Sequence, residues 1–176
     1  MSGYTNFAIA GAGTIGSYIV QQLLKDKAAG IIKEVAVLSR QVKYPFDDQI
    51  VHDMLSTPLI VDPKGSTNTV QGDAKVIQVD YSNDASIKHA VTGVDVVISA
   101  IPEAAFDVQW KIAVAAREVD VKLFVPSEFG GISEGTSEGV QMEKANVQDQ
   151  LQALGLPYTA FYTGAFADQI WVPYVS

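Results

Sequence analysis

Six residues near the start of the chain, Gly11-Ala12-Gly13-Thr14-Ile15-Gly16, constrain the fold more than any other stretch. They follow at once on the apolar run Thr5 to Ala10, which reads as a buried strand. Beyond them Ile15, Ile19 and Leu23 recur at helical spacing, with Val20 and Leu24 beside them, and Gly30 past Ala28-Ala29 stops the helix. Val35-Ala36-Val37-Leu38 supplies a second buried strand. In this strand–turn–helix–strand unit each glycine has a mechanism. Gly11 permits the tight turn, Gly13 lets backbone N–H groups approach a pyrophosphate at the positive helix end, and Gly16 lets helix and strand pack closely. Thr14 and Ile15 share that first turn and are expected at the same ligand. The competing reading is a glycine turn that serves packing alone.

Composition narrows the partners. The 176 residues are 48% hydrophobic and 18% charged, enough to bury a core within one domain. The net charge is −8 and no Lys/Arg cluster interrupts it, so neither nucleic acid nor an anionic membrane surface is an expected partner. Cysteine is absent, which excludes disulfides, thiolate metal ligands and a Cys nucleophile. His52 and His89 are the only histidines, too few for a His-rich metal site, and no metal is expected. No apolar run reaches the roughly 18 residues of a membrane helix, and no basic n-region leads an apolar h-region. A cytoplasmic α/β protein is the expectation.

The end of the second strand bears on which dinucleotide is bound. A site for the unphosphorylated ribose usually places Asp or Glu there, against the 2′-OH. Here the strand ends Leu38-Ser39-Arg40 without a carboxylate. A planar guanidinium suits a 2′-phosphate and the Ser39 hydroxyl adds a hydrogen bond, so NADPH is expected over NADH. The alternative is an Arg40 that is merely solvated at a strand end.

Residues 41 to 72, punctuated by Pro45, Pro58, Pro63 and Gly65, are expected to hold the second crossover helix and an enlarged loop. The pattern resumes with a strand from Val76 to Val79, then Asp80-Tyr81. Ser82 and Asn83 are candidate caps for a helix from Asp84 to Val91, which Gly93 stops. Val94 to Ile101 is a nearly continuous apolar strand of the parallel-sheet type. Ligands bind outside the carboxyl ends of such strands, which brings in Asp80, Tyr81, Ser99, Ala100 and Ile101. Asp80 has two readings, a contact to the adenine amino group or charge compensation at a helix N-terminus. A helix from Glu103 to Val119, a strand from Val121 to Val125 and a loop from Gly131 to Gly139 follow. The architecture is a Rossmann-type doubly wound parallel sheet, three-layer α/β/α.

Ser137 to Leu154 reads as a helix, ended by Gly155 with Pro157 beyond. Its apolar stripe is Val140, Val147, Leu151 and Leu154, and Lys144 falls on that stripe. Glu143, Gln148 and Asp149 are assigned to the outer face. A core-facing Lys is costly unless it is paired or lines a polar cleft. Contact with a cofactor ribose or with the reacting oxygen of a substrate accounts for it, and so does a stem that carries the ammonium out to solvent. Position 140 is Val, and no Tyr in the chain has Lys four residues later, so the usual Tyr-Lys proton relay is not available.

Taken together, these residues resemble a known group. Gly11 to Gly16, Leu38-Ser39-Arg40, Gly93 to Ala100, Phe124-Val125-Pro126-Ser127-Glu128-Phe129-Gly130, Lys144 and Gly155-Leu156-Pro157-Tyr158-Thr159 carry the resemblance. It is to the NmrA-like and isoflavone-reductase-like family of atypical short-chain dehydrogenases, which includes phenylcoumaran benzylic ether reductases. The resemblance implies a single Rossmann domain over residues 1–176 that binds NADPH, with Pro126 and Ser127 at the cofactor. It implies hydride transfer to an aromatic, phenylpropanoid-like small molecule, with Lys144 in proton exchange on the substrate oxygen. Glu128, Phe129, Phe161, Tyr162, Gly164 and Phe166 would lie towards the substrate, or the aromatics would be core packing. Family members continue past the last residues here, so the substrate-covering part is expected to be truncated or absent. Two alternatives come with that: a dinucleotide-sensing regulator of the NmrA type, or a cofactor-binding domain without turnover. Apolar surface at Phe161, Phe166, Ile170 and Trp171 is expected to be covered by a second copy, a homo-oligomer.

Overall fold

The computed structural model describes residues 3–40, 74–136, 138–164 and 166, and of Thr14 the backbone only. The element order is β1 (Asn6–Ala10), α1 (Thr14–Ala28), β2 (Glu34–Ser39), β3 (Lys75–Gln78), α2 (Asp84–Val91), β4 (Val96–Ser99), α3 (Phe106–Glu118), β5 (Leu123–Val125) and α4 (Gly139–Leu154). The strands form one parallel sheet in the order β3-β2-β1-β4-β5. Strand order therefore reverses between β1 and β4, the switch point of a doubly wound sheet.

Alternation along the strands sorts the core into two layers. Ala8, Ala10, Leu38, Val97 and Phe124 face α2, α3 and α4, which contribute Ile87, Ile112, Ala116, Val147 and Leu151. Ile9 and Val35 face the other way and meet Val20 and Leu24 of α1. Full burial of a side chain such as Phe124 or Leu151 is worth about 2 kcal/mol each. With helices on both faces, the expected three-layer architecture is observed.

Local signals set most boundaries. The Asn83 side chain accepts from the N–H groups of Ala85 and Ser86 and so starts α2 where expected. Gly30 adopts φ +72, and the Ile31 N–H then reaches the Asp26 carbonyl at 2.9 Å, which closes α1. The helix expected from Glu103 opens instead with a 3₁₀ turn, Glu103–Ala105. Ala105, at φ −125 and ψ 26, breaks the ladder there, and α3 begins at Phe106. The long strand expected from Val94 to Ile101 pairs only over Val96–Ser99, because β1 beside it runs out at Ala10. The expectations for residues 41 to 72, for Ser137 and for Ile170 and Trp171 fall outside the described residues. Among the described residues no helix is long and apolar enough to cross a membrane.

One carboxylate in the apolar β4 run organises the amino-terminal edge of the sheet. Asp95 is 7% exposed. Its Oδ2 accepts from the backbone N–H groups of Thr5 (2.7 Å) and Asn6 (2.9 Å), and its Oδ1 from Lys122 Nζ at 2.6 Å. Its own backbone bonds Asn6, Lys122 and Leu123. The starts of β1, β4 and β5 are thus tied to a single residue that the hydropathy pattern did not single out.

Candidate functional site

All five described strands are parallel, so each loop that leaves the carboxyl end of one of them emerges on one edge of the sheet. The register makes this concrete. Ala10 lies level with Leu38 on one side and Ser99 on the other, and Ser39 with Gln78. The Ala100 N–H donates to the Ala10 carbonyl at 2.7 Å, so the turns after β1 and β4 run side by side.

The three glycines of the first turn are needed for three different reasons. Gly11 has φ +95, and a Cβ there would sit 2.7 Å from the Ala100 carbonyl oxygen, so both conformation and close approach exclude a side chain. A Cβ on Gly16 would run into the carbonyl of Gly11. Gly13 is unlike either. Its φ of −70 suits any residue, and a Cβ there would meet nothing within 4 Å. Its lack of a side chain serves neither conformation nor packing, and it keeps space open in front of α1. Among the described residues no side chain caps that helix and no acidic residue lies in its first turn, so none of them compensates its N-terminal N–H groups and positive dipole end. A bound phosphate fits such a cradle.

At the end of β2, Ser39 is half-buried and Arg40 exposed, and Arg40 forms no ion pair with any described residue. Tyr81 lies alongside, its hydroxyl donating to the Leu38 carbonyl at 3.4 Å. Burial pushes the Tyr81 hydroxyl up to about 12, partly opposed by the Arg40 charge nearby. Asp80 is exposed, and its Oδ1 accepts from Ser82 Oγ (2.6 Å) and Ser82 N–H (2.9 Å). Those two bonds hold its carboxyl below the usual range, with Lys111 adding to the effect. Asp80 therefore braces the turn ahead of α2. Lys111, missed in the sequence, reaches the Tyr81 carbonyl at 3.3 Å.

Ser99 is fully buried, and its Oγ has no hydrogen-bond partner among the described residues. Ala100 lies against Gly11, and the Ile101 carbonyl accepts from Ser127 Oγ at 2.8 Å. Pro126 is fully buried, and the Ser127 N–H donates to Gln109 Oε1 at 2.9 Å. Gln109 is 1% exposed and anchors the Ser127 loop to α3, while Ser127 itself joins that loop to the one after β4. A polar residue amid the apolar positions of α3 was the available sign of it.

Lys144 is core-facing as the periodicity predicts, 8% exposed on α4. Its Nζ donates to the backbone carbonyl of Glu128 at 3.5 Å, and no described carboxylate lies within ion-pair distance. A Cβ on Gly130 would come within 3.7 Å of the ammonium. A connected path therefore runs from Gly11 through Ala100, Ile101 and Ser127 to Glu128 and Lys144.

Three expectations change. Val140 is 40% exposed and does not belong to the buried stripe, because α4 packs on the core only from Lys144 onwards. Gln148 does not face outwards; its Nε2 donates to Glu128 Oε1 (3.0 Å) and Ser133 Oγ (2.9 Å), and its Oε1 accepts from the Tyr162 hydroxyl (3.3 Å). Glu128, expected to face a substrate, is 1% exposed, its carboxylate taken up by Ser133 and Gln148. Of the other residues on that side, Phe129 and Phe166 are half-buried, and Phe161 and Tyr162 are exposed. Gly164 donates its N–H to the Gly130 carbonyl at 2.9 Å.

The sheet order, the crossover turns and the open helix end at Gly13 define a Rossmann-type α/β domain. The chain belongs to the NmrA-like family, whose model matches residues 7–175. It is 29% identical over 165 residues to the phenylcoumaran benzylic ether reductase Pyrc5 of Pyrus communis, covering 90% of this chain and 48% of that protein. Among solved structures it resembles AtPrR2 with NADP+ and (+)pinoresinol, at 27% identity and TM-score 0.69, over 95% of this chain and 52% of the other. It also resembles a crystal structure of isoflavone reductase, at 25% identity and TM-score 0.71, over 93% and 50%. The chain thus spans about half the length of the relatives it matches.

Proposed function

We propose that this chain is the cofactor-binding domain of an NADPH-dependent reductase that acts on an aromatic small molecule. The observation that carries the reading is Gly13. It leaves a helix N-terminus at the switch point of the sheet that is open, and among the described residues uncapped and uncompensated. Family membership and the likeness to AtPrR2 with NADP+ and (+)pinoresinol support it.

In this reading the N–H groups after Gly13 hold the pyrophosphate, and Thr14 and Ile15 present their backbone to it. Arg40 and Ser39 take the 2′-phosphate, beside Tyr81. Ser99, Ala100 and Ile101 at the end of β4, with Pro126 and Ser127 after β5, lie beneath the cofactor beyond the carboxyl ends of those strands. NADPH, when bound, supplies a hydride. Lys144 holds or exchanges a proton at the substrate oxygen, for which its ammonium keeps N–H bonds beyond the single long one to Glu128. Phe129, Phe161, Tyr162, Gly164 and Phe166 form the substrate side. The aromatic rings there suit a planar apolar ligand.

Separate titrations with NADPH and NADH, following the quenching of Trp110 and Trp171 fluorescence, test the cofactor reading. Tight binding of NADPH alone is expected, and binding of neither would reject the proposal. Arg40→Ala is expected to lose about tenfold in NADPH affinity, the worth of one charge-assisted contact, and to leave NADH unchanged. Equal losses for both cofactors would remove Arg40 from the 2′ site. NADPH consumption with (+)-pinoresinol, or with an aromatic enone or benzylic ether, tests the reaction class.

A further inference from the structure

We propose that Glu128 is a positioning residue for Lys144, acting through the loop from Glu128 to Ser133. The proposal rests on the reading of Lys144 as the proton-handling group. The Glu128 carboxylate is 1% exposed. Ser133 Oγ donates to its Oε2 at 2.8 Å, and Gln148 Nε2 donates to its Oε1 at 3.0 Å. No cation lies within ion-pair distance of it among the described residues. A carboxylate buried on neutral donors is a costly way to fill space that an apolar side chain fills without cost. Its geometry explains what the carboxylate does.

Glu128 and Ser133 are the two ends of one loop, and Gln148 on α4 bonds both. The clamp therefore fastens the whole loop to the helix. Between its ends the loop carries two further contacts. The Glu128 carbonyl receives the Lys144 ammonium at 3.5 Å, and the Gly130 carbonyl receives the Gly164 N–H at 2.9 Å. Lys144 and Gln148 are one helical turn apart, so clamp and ammonium share a face of α4. Tyr162 is drawn in as well, its hydroxyl donating to Gln148 Oε1 at 3.3 Å. The carboxylate thus sets where the carbonyl stands relative to the ammonium, and ties the Tyr162 to Gly164 segment to the same frame.

The test reads Lys144 directly, in the chain without cofactor. Brief acylation with an N-hydroxysuccinimidyl acetate, followed by peptide mass spectrometry, gives the labelling rate of Lys144 relative to surface Lys88. Releasing a clamped loop raises local opening, so Glu128→Leu is expected to raise that ratio about tenfold and Ser133→Ala about threefold. Glu128→Gln keeps an acceptor for Gln148 and a bonding partner for Ser133, and is expected to stay within about twofold of wild type. Circular dichroism melts accompany each variant. If Glu128→Leu does not fold, Ser133→Ala, which removes one hydroxyl, decides the matter. An unchanged ratio in the folded variants, or Glu128→Gln behaving as Glu128→Leu, overturns the proposal. A separate arm adds excess NADPH to the wild type. Failure of NADPH to slow Lys144 labelling counts against the function proposed for Lys144 and leaves the clamp result standing.

Discussion

Gly13→Asp is expected to weaken NADPH binding by about 100-fold or more without lowering the melting temperature. The two halves of this result have different origins. A Cβ at position 13 meets nothing within 4 Å and the backbone there has φ −70, so the substitution introduces neither clash nor strain. Position 13 is also the N-cap of α1, which has no side-chain cap. An Asp there accepts from the first-turn N–H groups and compensates the helix dipole, a gain of about 0.5 kcal/mol over glycine. The same carboxylate occupies the open space and faces the pyrophosphate with like charge. At about 4 Å and an effective dielectric near 20, one such repulsion is worth about 4 kcal/mol, more than enough for a 100-fold loss. Tryptophan fluorescence titration and a thermal melt on the same sample measure both halves. Retained affinity would place the pyrophosphate elsewhere, and a fall in melting temperature would show that Gly13 serves packing.

Asp95→Ala is expected to cost about 2 kcal/mol of stability, because it leaves the half-buried N–H groups of Thr5 and Asn6 without an acceptor and removes the Lys122 contact. The effect falls at the sheet's amino-terminal edge, opposite the candidate site. NADPH affinity in the folded variant should therefore match the wild type. The pH dependence has a definite sign. Lys122 first, and then the Thr5 and Asn6 N–H groups, hold the Asp95 carboxyl well below the usual carboxylate range, against the opposing effect of burial. A folded value depressed below the unfolded one gives stability that is complete above the unfolded value of about 3.9 and is lost as pH falls towards the folded value. Urea melts at pH 7 and pH 3 should show wild type losing more stability between them than Asp95→Ala. An equal loss in both proteins would assign the acid sensitivity to other carboxylates.

The fold was legible in the sequence wherever local periodicity and tertiary burial agree. β1, α1 and β2 follow from apolar spacing and the glycine turn. α2 follows from Asn83 and Gly93. Asp95 was not legible, because one carboxylate in an apolar run carries no signal until the starts of β1 and β5 are beside it. Gln109 is a similar case, one polar position on a packing helix, explained only when the Ser127 loop lies against it. Gln148 was assigned outwards from polarity alone, and the structure turns it inwards because Glu128 and Ser133 are there to meet it.

By itself the sequence determined the strand–turn–helix–strand unit, the parallel sheet and the core-facing position of Lys144. These rest on spacing along the chain, and chain spacing is what helical and strand periodicity encode. Only the tertiary structure separated the work of Gly11, Gly13 and Gly16, since whether a missing side chain serves conformation, packing or open space depends on what stands opposite it. It alone turned the Glu128 carboxylate inwards. Hydrogen bonds from Ser133 and Gln148 decide that, and no pattern in a linear sequence specifies which distant side chains will meet a buried charge.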